Sequence, residues 1–102
     1  MKTKKQFLKS YLLQQSKINR LYDMRENDPL STAQYTAQIR ECQQLRIQIE
    51  EKIHDINDDL LSEILFQKYV CGKTLEEISF VINYSKRHTE RLHIKALKAL
   101  KI

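Results

Sequence analysis

The 102 residues contain one glycine and one proline, where average usage would supply roughly 12 of the two together. Sheets and their turns lean on these residues and on Asn-Gly and Asp-Gly pairs. The composition therefore excludes sandwiches, barrels, Gly-rich phosphate loops and collagen-like or linker sequence, and 41% hydrophobic with 30% charged residues fits a folded all-α chain. The net charge is +5, and no apolar run approaches the ~20 residues needed to span a bilayer.

The first helix is expected over about Lys4–Arg25. Leu8, Tyr11, Leu12, Ile18, Leu21 and Tyr22 form one apolar stripe, with Gln15 inside it. Glu26-Asn27-Asp28-Pro29 is the first break, because the residue before a proline is pushed out of the α region. Ser31-Thr32-Ala33-Gln34 reads as a capping box that opens a second helix over about Thr32–Ile56. Along it, Tyr35, Ile39, Cys42, Ile49, Ile53 and Ile56 repeat as a heptad seam, with Arg46 in the gap and Leu45 beside it. The short Pro29 turn folds the two helices into an antiparallel hairpin.

Asp55-Ile56-Asn57-Asp58-Asp59 is a second break. A third helix is expected over Asp58–Cys71, burying Leu61, Ile64, Leu65, Tyr69 and Val70, with Asp58 and Asp59 at its positive end. Gly72 supplies a left-handed stop and Thr74-Leu75-Glu76-Glu77 a second capping box. That helix is short and ends near Ile82. Ser85 then caps a final helix over Lys86 to about Lys101.

Charge follows this division. Residues 1–26 carry seven basic and two acidic groups, residues 27–83 five and ten, and residues 84–102 six and one. Basic ends flank an acidic middle, and basic segments attract nucleic acid or anionic lipid. The N-terminal lysines Lys2, Lys4, Lys5 and Lys9 have no free aromatic-anchored apolar face beside them, so they read as a solvated or weakly DNA-touching end. The same segment lacks the uninterrupted apolar stretch of a secretory signal.

Two short helices with a tight turn, the second strongly basic, form a candidate helix-turn-helix. Its spacing can be checked position by position. Ile78 and the small Ser79 stand where the helices should cross, and Asn83 stands four residues later, where a left-handed residue is needed. Ile82 and Tyr84 flank the turn, while Thr89, Leu92, Ala96 and Leu100 form the inward stripe of the last helix. Lys86, Arg87, Glu90, Arg91 and Ile94 then face outward. Lys and Arg match guanine O6 and N7, and Glu can accept from cytosine N4. His88, His93, Lys95, Lys98 and Lys101 lie to the sides or further along, where backbone phosphate is expected. The resulting DNA-contacting set is Ser85, Lys86, Arg87, His88, Glu90, Arg91, Lys95 and Lys98.

The run from Ile64 to Ile78, with Tyr84-Ser85-Lys86-Arg87-His88-Thr89-Glu90-Arg91-Leu92-His93-Ile94-Lys95-Ala96-Leu97, resembles region 4 of sigma-70-type factors. It is closer still to the small regulators of late transcription in phages of Gram-positive bacteria, of the RinA, ArpU and LtrC types. The resemblance covers about residues 58–102, and a preceding helical hairpin matches their layout. It implies a sigma region 4-like module in which Lys86, Arg87 and Glu90 read the promoter, with His88 and Arg91 nearby. It further implies activation of phage packaging and structural genes, with host RNA polymerase as a partner. Ser79 stands where Ala is usual, Asn83 where Gly is usual, and Glu90 where sigma factors often place a basic residue.

The expected architecture is thus all-α: a hairpin over residues 1–56 for oligomerisation or partner contact, and a helix-turn-helix module over residues 57–102. Catalysis finds no footing. Glu50-Glu51, Asp58-Asp59 and Glu76-Glu77 are neighbours in helices and diverge by about 100°. His88 and His93 are roughly 140° apart around a helix and cannot chelate a metal from one face. Cys42 and Cys71 read as reduced core thiols. No enzyme activity, metal or cofactor is expected, and the compartment is the cytoplasm of a bacterial host cell. The expected partners are double-stranded DNA, host RNA polymerase and a second copy bound through residues 4–56, with no membrane. The alternative is a protein-interaction module that self-associates or docks a partner such as RNA polymerase without reading DNA.

Overall fold

Thr3 and Gln6 begin the first helix by capping each other. The Thr3 hydroxyl accepts from the Gln6 amide at 3.1 Å, and the Gln6 side chain accepts from the Thr3 amide at 2.9 Å. The computed structural model describes residues 3–102, so Lys2 of the basic N-terminal segment lies outside the described residues. The chain then forms α1 (Lys4–Asn27), a 3₁₀ turn (Pro29–Ser31), α2 (Thr32–His54), α3 (Asp59–Leu65), a π-helical turn (Phe66–Val70), α4 (Leu75–Ile82) and α5 (Lys86–Ala99). All the regular secondary structure of the described residues is helical, with no strand. None of these helices is long and apolar enough to cross a membrane.

Side chains from both ends of the first two helices set their direction. The Tyr11 hydroxyl donates to Glu50 at 2.6 Å, and Arg25 donates to the Thr36 hydroxyl at 3.1 Å. Residues early in α1 therefore meet residues late in α2, and the helices run antiparallel. The seam residues Ile39, Ile49 and Ile53 are buried, and Tyr35 and Cys42 are half-buried. Arg46, in the gap of the seam, donates to the side-chain oxygen of Gln15 and lies 5.9 Å from the Tyr11 ring centroid. The polar break in one apolar stripe thus answers the polar break in the other.

The main core draws on every long element. Leu8 and Tyr11 of α1 pack with Ile49, Ile53 and Ile56, then with Leu61, Leu65 and Tyr69, and with Ala96 and Leu100 at the end of the chain. Burying a Leu or Ile side chain of this kind contributes about 1.5–3 kcal/mol. A smaller cluster of Ile18, Leu21 and Ile39 holds the far end of α1 and α2.

The structure departs from the sequence reading at several places. Ser31 makes no side-chain cap. It belongs to the 3₁₀ turn that Pro29 opens, at φ −106° and ψ 20°, away from the extended backbone that aims an N-cap hydroxyl at the helix. Thr32 bonds back instead, its hydroxyl donating to the Pro29 carbonyl at 2.7 Å. Leu12 and Tyr22 are largely exposed, while Gln14 is buried in their place, because α2 covers a line running through Leu8, Tyr11, Ile18 and Leu21. The α2 helix stops at His54, yet Ile56 stays buried below it.

The third helix is not α-helical to Cys71. After Leu65 the chain widens into the π-helical turn, where the Cys71 amide donates to the Phe66 carbonyl at 3.1 Å. The extra residue in that turn carries Tyr69 and Gln67 into the interior and leaves Cys71 outside. Cys71 is therefore an exposed thiol, not a core residue, and Cys42 is only half-buried.

Candidate nucleic-acid interface

Thr74 and Glu77 form the second capping box as the sequence predicts. The Thr74 hydroxyl accepts from the Glu77 amide and the Glu77 carboxylate accepts from the Thr74 amide, both at 3.1 Å. Hydrogen bonding from Thr74, its backbone amide first and then its hydroxyl, holds the Glu77 carboxyl below the usual carboxylate range, with the Lys73 charge adding to it. Ile78 and Ser79 face inward and are buried. Asn83 takes the left-handed conformation at φ 61° and ψ 40°. The Tyr84 amide then donates to the Ser79 carbonyl at 3.1 Å. This arrangement closes the carbonyl end of α4 and turns the chain sharply.

Ser85 starts α5, its hydroxyl accepting from the His88 amide at 3.1 Å. Thr89 is fully buried, and its hydroxyl donates to the Ser85 carbonyl at 2.9 Å. That bond satisfies the buried hydroxyl. Ala96 and Leu100 are buried too, and Leu92 is half-buried against the core.

The remaining face is open. Ser85, Lys86, Arg87, His88, Glu90, Arg91, Lys95 and Lys98 are all exposed, and Ile94 is 55% exposed among them. The His88 ring lies 4.8 Å from the Tyr84 ring, which holds it to one side of the helix. Five of these eight side chains are cationic at pH 7 and one is anionic.

His93 does not join this face. It is buried, and its Nε2 lies 2.8 Å from the Tyr69 hydroxyl. Burial first, then the charges of Lys68 and Lys5, lower its pKa from 6.5 to about 4. It is a neutral core histidine at pH 7, not a phosphate contact. Periodicity could have placed it, since residues 89, 93, 96 and 100 share a stripe at helical spacing.

The structure also gathers residues that the sequence reading left apart. A groove of about 430 Å³ opens where α1, the π-helical turn and the starts of α4 and α5 meet. Lys9, Lys68, Lys73 and Lys86 line it, together with Glu76 and Glu90. Lys68 and Lys73 sit in the acidic middle of the chain, and no periodic signal groups them with Lys9. Among the described residues, no group of three or more His, Cys, Asp or Glu side chains could hold a metal ion. Compared with family models, curated proteins and solved structures, the chain matches none.

Proposed function

We propose that this chain is a sequence-specific, double-stranded DNA-binding regulator of transcription and not an enzyme. In this reading α4 and α5 are the helix-turn-helix of a sigma region 4-like module over residues 57–102, and residues 1–56 are its helical hairpin. The observation that carries it is the outer face of α5. Its first turns are capped, exposed and basic, and they follow a left-handed turn at the spacing a recognition helix requires. Lys86, Arg87, Glu90 and Arg91 would reach base edges, with Ser85, His88, Lys95 and Lys98 towards the phosphates. The resemblance to phage late-transcription regulators supports activation of packaging and structural genes in the cytoplasm of a bacterial host, with host RNA polymerase as a partner.

Salt dependence tests the reading. Neutralising about five phosphates should make log K fall against log[salt] with a slope of about −4 to −5. Fluorescence anisotropy on duplex DNA measures it, and a slope near zero rejects DNA binding.

A second reading makes residues 4–56 an interaction module that pairs with another copy. It is favoured by Leu13, Leu45 and Ile47, which stay largely exposed on the two long helices. A two-fold dimer would set its recognition helices one DNA turn, or a multiple of it, apart. Sedimentation as a monomer at tens of micromolar, with full DNA binding, would reject the dimer.

A further inference from the structure

The groove beside α5 brings the first helix of the chain to the proposed DNA surface. Lys9 comes from α1, Lys68 from the π-helical turn, Lys73 from the loop before α4, and Lys86 from the first turn of α5. The start of α1 is also tied to the far end of α5, where the Lys4 ammonium donates to the Lys98 carbonyl at 3.3 Å. That bond and the shared groove place Lys4 and Lys9 alongside α5.

The charges in the groove are only partly offset. Four lysines face Glu76 and Glu90. Lys73 is held by a neutral group, donating to the Gln67 amide oxygen at 3.1 Å. Lys68 rests 5.7 Å from the Tyr69 ring centroid. Neither of these contacts is to a carboxylate, while the Lys73 charge also acts on Glu77.

We propose that this groove is a clasp for the DNA backbone, in which Lys9 of α1 contacts phosphates together with Lys68, Lys73 and Lys86, next to the recognition helix. The proposal rests on the DNA-binding reading and extends it to a helix outside the module that carries that reading. The lysines stand on four separate segments along an open groove and do not converge on one buried point. That layout suits an extended polyanion, and duplex DNA carries one charge per about 1.7 Å of its axis. Lys86 belongs both to the groove and to the outer face of α5, so one strand can run from one to the other. Glu76 and Glu90 lower the gain but leave the groove net positive.

The test uses the full chain and a labelled random-sequence duplex, with anisotropy measured over a range of NaCl. Lys9→Gln is compared with Lys17→Gln, which removes the same charge from α1 beside Gln14 and Arg20, at a different groove. Arg91→Ala reports on the outer face of α5. Lys9 is exposed, and matching melting curves check that its variant folds. Loss of one phosphate contact should make the salt slope shallower by about 0.9 and weaken binding about fivefold at 0.15 M salt. Lys17→Gln should behave as the wild type. If Lys9→Gln also behaves as the wild type while Arg91→Ala weakens binding, the clasp is overturned and the DNA-binding reading stands. If the wild type itself shows no salt-dependent binding, both fall. A labelled polyglutamate chain is the second probe: weakening of that complex alone by Lys9→Gln would make the groove an acidic-peptide site and overturn the clasp.

Discussion

The two halves of α5 differ sharply in what holds them. From His93 onward the helix is anchored, with His93, Ala96 and Leu100 buried and Tyr69 bonded to the histidine. From Lys86 to Arg91 only Thr89 is buried, and five neighbours face solvent. One helix thus separates anchoring from presentation along its length. The anchored end fixes where the helix points, and the capped free end carries charge at no cost to the core. Under the proposed function, residues that never touch the DNA preorganise this surface.

The strongest way to break the comparison is at the anchored end. Leu100 is 1% exposed and packs into the main core. Leu100→Ala should destabilise the fold by roughly 2–5 kcal/mol. Urea denaturation measures this, and a loss below 1 kcal/mol would mean that the end of α5 is not the anchor.

Acid should act on the same end. His93 has a folded-state pKa of about 4 against 6.5 for a free histidine. Between those values the unfolded chain binds a proton that the folded chain excludes. Stability is therefore fully present above about pH 6.5, falls as pH drops towards 4, and loses nothing more from this group below that. The shift corresponds to about 3 kcal/mol. Urea midpoints from pH 7 to 4 should fall more steeply for the wild type than for His93→Gln. Parallel profiles would remove His93 from the anchor.

At the free end the expected effect on folding is smallest. Arg87→Ala touches no core residue and should leave stability within about 0.5 kcal/mol. Under the proposed function its cost appears in binding, at about 1–3 kcal/mol on the specific site, with relaxed preference at one base pair. A variant that melts early but binds normally would invert the assignment of the two halves.

Much of this arrangement was legible in the sequence, because its signals are local. Thr74 with Glu77, Ser85, Asp58 and the left-handed Asn83 each act through bonds to amides or carbonyls a few residues away. Their geometry needs no partner helix. The apolar stripe of α2 was legible too, and that of α1 apart from the exposed Leu12 and Tyr22, since a helical period fixes which residues share a face. Gln15 and Arg46 read as separate flaws in two stripes, and only their meeting across the helix pair turns them into a matched contact.

What the sequence by itself determined, then, was the all-helical architecture, the capped ends of the C-terminal helices, and the charged outer face of α5. Tertiary structure decided the rest. Ser31 is the exception, since it lost its cap to a local, proline-led 3₁₀ turn, whereas Cys71 left the core because a π-helical turn shifted the register after Leu65. His93 became a buried partner of Tyr69, and Lys9, Lys68, Lys73 and Lys86 came to one groove from distant parts of the chain. Ser31 aside, the physical reason is the same in each case. A cap or a period is set by bonds and angles within a few residues. The width of one turn, the burial of one ring or the gathering of four lysines along one groove depends on how whole helices pack.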